Sequence, residues 1–274
     1  MTILLTFALM GVGCAAKQDV IVERAVSSYF AADYERAMHE LEPLTKKADE
    51  NFVVNNLRFG SAALADYALD DAEAAFLRAY EVINSTGVND GGRTLGATLV
   101  DEKIKIWKGE PFERAMANFY LGLIYYMRHE YDNARGAFEN ALFKLRDYDP
   151  ELKDNSPEVD SNFALATLML AKSYQRLGRD DLAAANFQNI REKQSPLAGL
   201  ADAEMNAKSN LLLVVDFGYG PRKVTDFDGA IVGFSPKPMD EGLIPPPLVR
   251  VDGKVVAIEP VAGDLQLRLI VGLP

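Results

Sequence analysis

From about residue 20 to residue 195, apolar side chains recur in steps of three and four, the spacing that lines up one face of an α-helix. The steps fall into four copies of one pattern. Each copy opens on a small residue with an alanine twelve positions later, as in Ala25 and Ala37, Gly60 and Ala72, Gly122 and Ala134, and Ala171 and Ala183. Four residues beyond that alanine stands a large apolar residue, Leu41, Phe76, Phe138 or Phe187, and three further on Leu44, Ala79, Ala141 or Ile190. Between the helical runs lie short breaks at Ala32-Asp33, Tyr67-Ala68, Arg128-His129-Glu130 and Leu177-Gly178-Arg179. Gly178 is suited to a left-handed helix end. The pattern predicts four pairs of antiparallel helices. The small residues should let the two helices of a pair approach closely, while the large one fills the gap to the next pair.

The copies are unevenly spaced. Ala25 and Gly60 stand 35 residues apart, Gly60 and Gly122 62, and Gly122 and Ala171 49. Two insertions therefore interrupt the array, at 84–110 and 147–161. The first opens with the turn-forming residues NSTGVNDGGR and carries the single tryptophan, Trp107, expected to pack back on the helices. Pro111 then suits the first turn of the following helix. The second insertion, DYDPELKDNSPEVDS, is rich in carboxylates but lacks the glycine and terminal glutamate of a calcium loop, and reads as a solvated connector. Residues 197–209 suggest one more amphipathic helix, a cap for the exposed end of the stack. After it the composition changes: eight of the thirteen prolines lie at or beyond Pro221, and the helical period disappears. Strands are expected at Leu211–Phe217 and Leu265–Leu269, and at 248–251 and 254–258 on either side of the hairpin signal Asp252-Gly253. An end directly after an apolar strand suggests a piece of a longer protein.

The window Ala117–Ala141, ANFYLGLIYYMRHEYDNARGAFENA, places Leu121, Gly122, Tyr125, Tyr131, Ala134, Phe138 and Ala141 where the tetratricopeptide pattern has its large and small residues. Residues from about 20 to 195 therefore resemble tetratricopeptide repeats. The resemblance implies a mainly α fold, an α-solenoid of about four helix pairs in a domain at 20–209, with a small β-rich segment at 210–274. It also implies that the first helices of successive pairs line a groove that binds protein or peptide. Carried onto this chain, the groove positions are Met116, Phe119, Leu123, Tyr126 and Met127 in the third copy, Val54, Leu57 and Leu64 in the second, and Leu168, Lys172, Gln175 and Arg176 in the fourth. Such a groove would be apolar and rich in methionine at its centre and basic at Lys172 and Arg176, suited to an amphipathic helix or an extended peptide. The chain's own first insertion or C-terminal segment could equally fill it.

Residues 1–13, MTILLTFALMGVG, form an apolar run too short to span a bilayer but long enough for a signal-peptide core. Small residues flank Cys14, the single cysteine. This start resembles a bacterial lipoprotein signal, although no basic residue precedes the run and Gly11 stands where such signals usually carry leucine. The resemblance implies cleavage before Cys14, acylation of that residue, and an anchor region at 1–19. With the KGEPFER lead-in to the third copy and GYGPRK after an apolar strand, the layout is similar to bacterial envelope lipoproteins with tetratricopeptide repeats. That similarity implies an envelope location, as an outer-membrane lipoprotein facing the periplasm.

Charge narrows the partners. A formal net charge of -11 argues against nucleic acid, whose binding draws on clustered Lys and Arg, and against adsorption to anionic lipid. One cysteine permits neither an intrachain disulfide nor a cysteine-based zinc site. The two histidines, His39 and His129, sit near turns of different copies without a motif and read as surface residues. There is no HExxH and no G-x-S-x-G, and Gly218-Tyr219-Gly220 reads as a turn rather than a phosphate loop. Asp70-Asp71 and Asp180-Asp181 open helices, where carboxylates complement the helix dipole. The expectation is a protein without catalytic residues, metal, cofactor or small-molecule substrate. It would act as a scaffold for a protein partner or, alternatively, as an accessory subunit of an envelope enzyme or export complex working through the β segment.

Overall fold

A residue in the left-handed region ends the first helix of every pair, and this repeated turn organises the chain. Ala32, Tyr67, His129 and Gly178 have φ of 58°, 59°, 65° and 69°, and each stands seven residues after the small residue that opens its copy. The following N–H, of Asp33, Ala68, Glu130 or Arg179, donates back to the carbonyl of Ser28, Ala63, Tyr125 or Tyr174, at 2.9 Å in each case. The left-handed residue itself donates to Tyr29, Leu64, Tyr126 or Gln175, at 3.0–3.2 Å. This paired closure satisfies carbonyls that a helix end would otherwise leave bare. Only Gly178 signalled it in the sequence; the other three turns are made by residues for which the conformation is unfavourable by ~1–2 kcal/mol.

The computed structural model describes residues 10–84, 106, 108–109, 111–145, 163–193, 197–206, 214, 222–225, 231–235 and 249–256. The chain divides into two compact units, Met1–Asp147 and Tyr148–Pro274. The first unit holds three antiparallel pairs: α1 (Met10–Phe30) with α2 (Tyr34–Thr45), α3 (Phe52–Ala65) with α4 (Leu69–Asn84), and α5 (Pro111–Met127) with α6 (Tyr131–Leu145). The second holds α7 (Ala164–Arg176) with α8 (Asp180–Lys193), then α9 (Ala198–Asn206), where a helix over 197–209 was expected. Its strands form two antiparallel hairpins, β1 (Arg222–Thr225) with β2 (Ile231–Ser235) and β3 (Val249–Val251) with β4 (Lys254–Val256). The β3–β4 turn is the expected Asp252-Gly253, both residues at positive φ of 50° and 75°. The first hairpin was not anticipated, although Asp228-Gly229 between its strands is the same kind of signal. The expected strand Leu211–Phe217, described only at Val214, the strand Leu265–Leu269, Trp107 and the connector 147–161 lie outside the described residues.

Close packing explains the small residues. Gly60 lies against Phe76 so tightly that a methyl group there would come within 2.9 Å of the ring, and one at Gly122 within 2.6 Å of Phe138. The large residue thus seats on the small residue of its own pair, not only in the gap to the next. Phe76 does both, since its ring also meets Tyr120 of α5 with centroids 5.9 Å apart. Ala37, Ala72 and Ala134 are fully buried, and Ala183 is 2% exposed. In the second unit Ala171, Ala183, Phe187 and Ile190 form one apolar cluster with Leu197 and Ala201, which brings α9 onto the pair. From the first insertion, Ile106 is buried with Phe52, Val53, Ala79, Val82, Ile83 and Ala117.

Candidate interaction surface

The first helices of the pairs carry the expected groove positions, and their burial sorts them. On α5, Met116 and Phe119, then Leu123 and Tyr126, share a face by three- and four-residue spacing. Met116, Leu123 and Tyr126 are half-buried, and Met127 is 42% exposed. Phe119 differs: it is 2% exposed, with its ring 5.7 Å from Phe138 and 5.9 Å from Tyr120. It is a packing residue, because its ring completes the cluster around Phe138. On α3, Val54, Leu57 and Leu64 are half-buried, and Leu57 and Leu64 pack on the apolar core of the first unit.

The equivalent face of α7 is closed by the chain itself. Leu168 is buried in the cluster that includes α9. Lys172 is 7% exposed and its Nζ lies 2.8 Å from a carboxylate oxygen of Glu204 on α9. Gln175 donates to the carbonyls of Glu204 and Met205 at 3.4 and 3.5 Å. Lys172 is therefore no basic end of an open groove; a buried ammonium needs an opposite charge, and α9 supplies it. Arg176, in the last turn of α7, remains exposed.

Two sets of polar residues went unread in the sequence. Arg128, at the end of α5, pairs with both Asp70 and Glu73 at the start of α4. Asp70 thus serves an ion pair between neighbouring helix pairs as well as the dipole of α4. Tyr125 belongs to the same junction. Burial, then the charge and hydrogen bond of Glu73 and the charge of Glu130, push its phenol up to about 12, against the opposing pull of Arg128. The second set recurs four residues before the small position: Asn56, Asn118 and Thr167 are buried and donate to the carbonyls of Phe52, Arg114 and Phe163. Asn56 also accepts from Arg78 at 2.7 Å. The signal was polarity recurring at one register of a buried face, visible only once the register is known.

Nothing described gathers into a reaction centre around the histidines. His39 lies within α2 rather than at a turn, and His129 forms the third turn with its ring stacked on Tyr131; both are exposed. Among the described residues no group of three His, Cys, Asp or Glu could hold a metal ion, and no helix is long and apolar enough to cross a membrane. A cavity of about 460 Å³ lies away from the expected groove, on the first pair, lined by residues that include Glu23, Arg24, Asp33 and Arg36. Its open, mixed-charge lining defines no chemistry.

No family model matches the chain, and no curated protein does. Among solved structures it is similar to a crystal structure of MamA, at 17% identity over 65% of this chain and 81% of that one, with a TM-score of 0.43. A crystal structure of MamA protein aligns at 16% identity over 72% and 98% of the two chains, with a TM-score of 0.45. Overlap at that level says nothing about what this chain binds.

Proposed function

We propose that the chain is a helical-repeat module that binds a protein or peptide partner through the first-helix face of its three-pair unit, without chemistry of its own. The observation that supports this most directly is on α5, where Met116, Leu123 and Tyr126 are only half-buried and Met127 is 42% exposed, on a helix whose other side is fixed in the core. An amphipathic helix or extended peptide gains affinity from such an apolar strip. Attachment to a bacterial envelope membrane through acylated Cys14 completes the proposal and rests on the sequence. The side chain of Cys14 is outside the described residues, and the helix backbone of α1 runs through its position.

A photo-crosslinking residue at Leu123 in the full chain tests the face in intact cells, with Phe143 on α6 as an exposed control position. A discrete crosslinked partner from Leu123, lost when Met127 is changed to Asp, is the expected result. Equal crosslinking from both positions would reject the face. The alternative, an accessory subunit acting through the β segment, has its own support: each described sheet has only two strands, so both strands have an open edge among the described residues. Crosslinks from Val255 and none from Leu123 would favour it.

A further inference from the structure

The edge of the first unit formed by its three hairpin turns is a different surface from the first-helix face. Successive helices in this unit are antiparallel, and Arg128 at the end of α5 reaches Asp70 at the start of α4, so neighbouring turns lie side by side. The insertion 84–110 joins the helices at their other ends. Along this edge stand large side chains that the core does not use: Phe30 is 72% exposed and Tyr67 76%. Tyr67 is the more exposed of the two and occupies the left-handed position of its turn. Single exposed apolar residues are ordinary. Here two large rings stand on consecutive turns, Phe30 five residues and Tyr67 seven residues after the small residue of its copy.

The charge around these rings is mostly negative. Asp33, Asp66, Asp71, Glu130 and Asp132 are all exposed at these turns. The guanidinium groups described at the same turns are already engaged, Arg36 with Glu40 at 3.4 Å, Arg128 with Asp70 and Glu73, and Arg135 with Asp132 at 3.8 Å and Glu139 at 2.9 Å, which leaves Asp66 and Asp71 as carboxylates without such a cation. Dipole complementation explains carboxylates at helix starts. It does not explain exposed aromatic rings between them. Rings with a negative face, set among carboxylates, complement cations carried on apolar stems.

We propose that this edge binds an extended Arg- or Lys-rich segment of a partner protein, its cations lying over Tyr67 and Phe30 and between the flanking carboxylates. Encounter with such a segment is steered by the acidic field and weakens as salt rises.

The test uses the full chain and a labelled synthetic peptide alternating Arg and Gly, with a Glu–Gly peptide as control. Binding of the Arg–Gly peptide should shift backbone resonances at Phe30, Asp66 and Tyr67 and weaken with salt. The double variant Phe30→Ser, Tyr67→Asn, whose Asn tolerates the left-handed turn, should bind about tenfold more weakly with unchanged helical circular dichroism. Unchanged affinity in that variant, equal binding of the Glu–Gly peptide, or shifts confined to Met116 and Leu123 would each overturn the edge as the site. Self-association of the chain that the double variant abolishes would make a second copy the occupant and overturn the proposal. The crosslinking test at Leu123 is independent of every one of these outcomes.

Discussion

The pairs α5–α6 and α7–α8 follow the same local rules and end with opposite surfaces. In each a large aromatic, Phe138 or Phe187, is fully buried against a small residue and an alanine, and the same two hydrogen bonds close the turn. On α5 the first-helix face keeps Met116, Leu123 and Tyr126 half-buried and Met127 exposed. On α7 the matching face is filled by α9, through Leu168, Lys172 and Gln175. A shared repeat code therefore fixes how two helices meet, and whatever follows in the chain decides whether the remaining face stays open.

The largest effect expected comes from removing the buried ring in either pair. Phe138→Ala and Phe187→Ala should each lose about 3–5 kcal/mol. In urea unfolding followed by hydrogen exchange, Phe138→Ala should weaken protection in α5 and α6, and Phe187→Ala in α7 and α8. Equal loss throughout the chain from either variant would mean that the two units unfold as one.

Next in size is the ion pair that closes the α7 face. Lys172→Ala leaves Glu204 with its charge and no partner in a mostly buried site, at a loss of about 2 kcal/mol once its partial exposure is allowed for. Protection of α9 amides should fall first. The double change Lys172→Met, Glu204→Leu should restore most of it, and failure to do so would show that packing rather than charge holds α9.

Two contrasts between chemically similar changes come third. Gly122→Ala pushes a methyl into the Phe138 ring and should cost about 1–2 kcal/mol, whereas Gly136→Ala, with open space at the same atom, should gain up to about 1 kcal/mol from helix propensity. At the turns, His129→Gly should stabilise by about 1 kcal/mol and Gly178→Ala should destabilise by a similar amount, because only glycine adopts the left-handed backbone freely. Melting temperatures read both signs, and the same sign at both turns would contradict the shared geometry.

The smallest effect is confined to alkaline pH and to the α4–α5 junction. The raised pKa of Tyr125 means that the folded state favours the neutral phenol. Its contribution is complete below pH ~10, the usual tyrosine value, and is lost as pH rises to about 12. Tyr125→Phe should flatten the stability profile in that window and remove one late-titrating tyrosine signal.

The four turns and the helices around them were legible in the sequence because their signals are local: a small residue, an alanine and a large residue at fixed offsets suffice. The groove was legible only in part. Phe119 and Leu168 occupy positions that in a repeat array can face either a ligand or a neighbour, and one-dimensional spacing does not distinguish the two. The Arg128–Asp70 pair joins residues 58 apart across the first insertion, so no local signal announces it.

By itself the sequence determined the helix pairs, the close approach at Gly60 and Gly122, the Asp252-Gly253 hairpin and an acidic surface, since all of these follow from residue size, backbone freedom and charge at short range. The tertiary structure alone decided that Lys172 is buried against α9, that Phe119 belongs to the core, and that Tyr67 and Phe30 are exposed at turns that carry carboxylates. Those outcomes depend on which distant segment comes to rest on a given face. Burial is a property of the neighbours as much as of the residue.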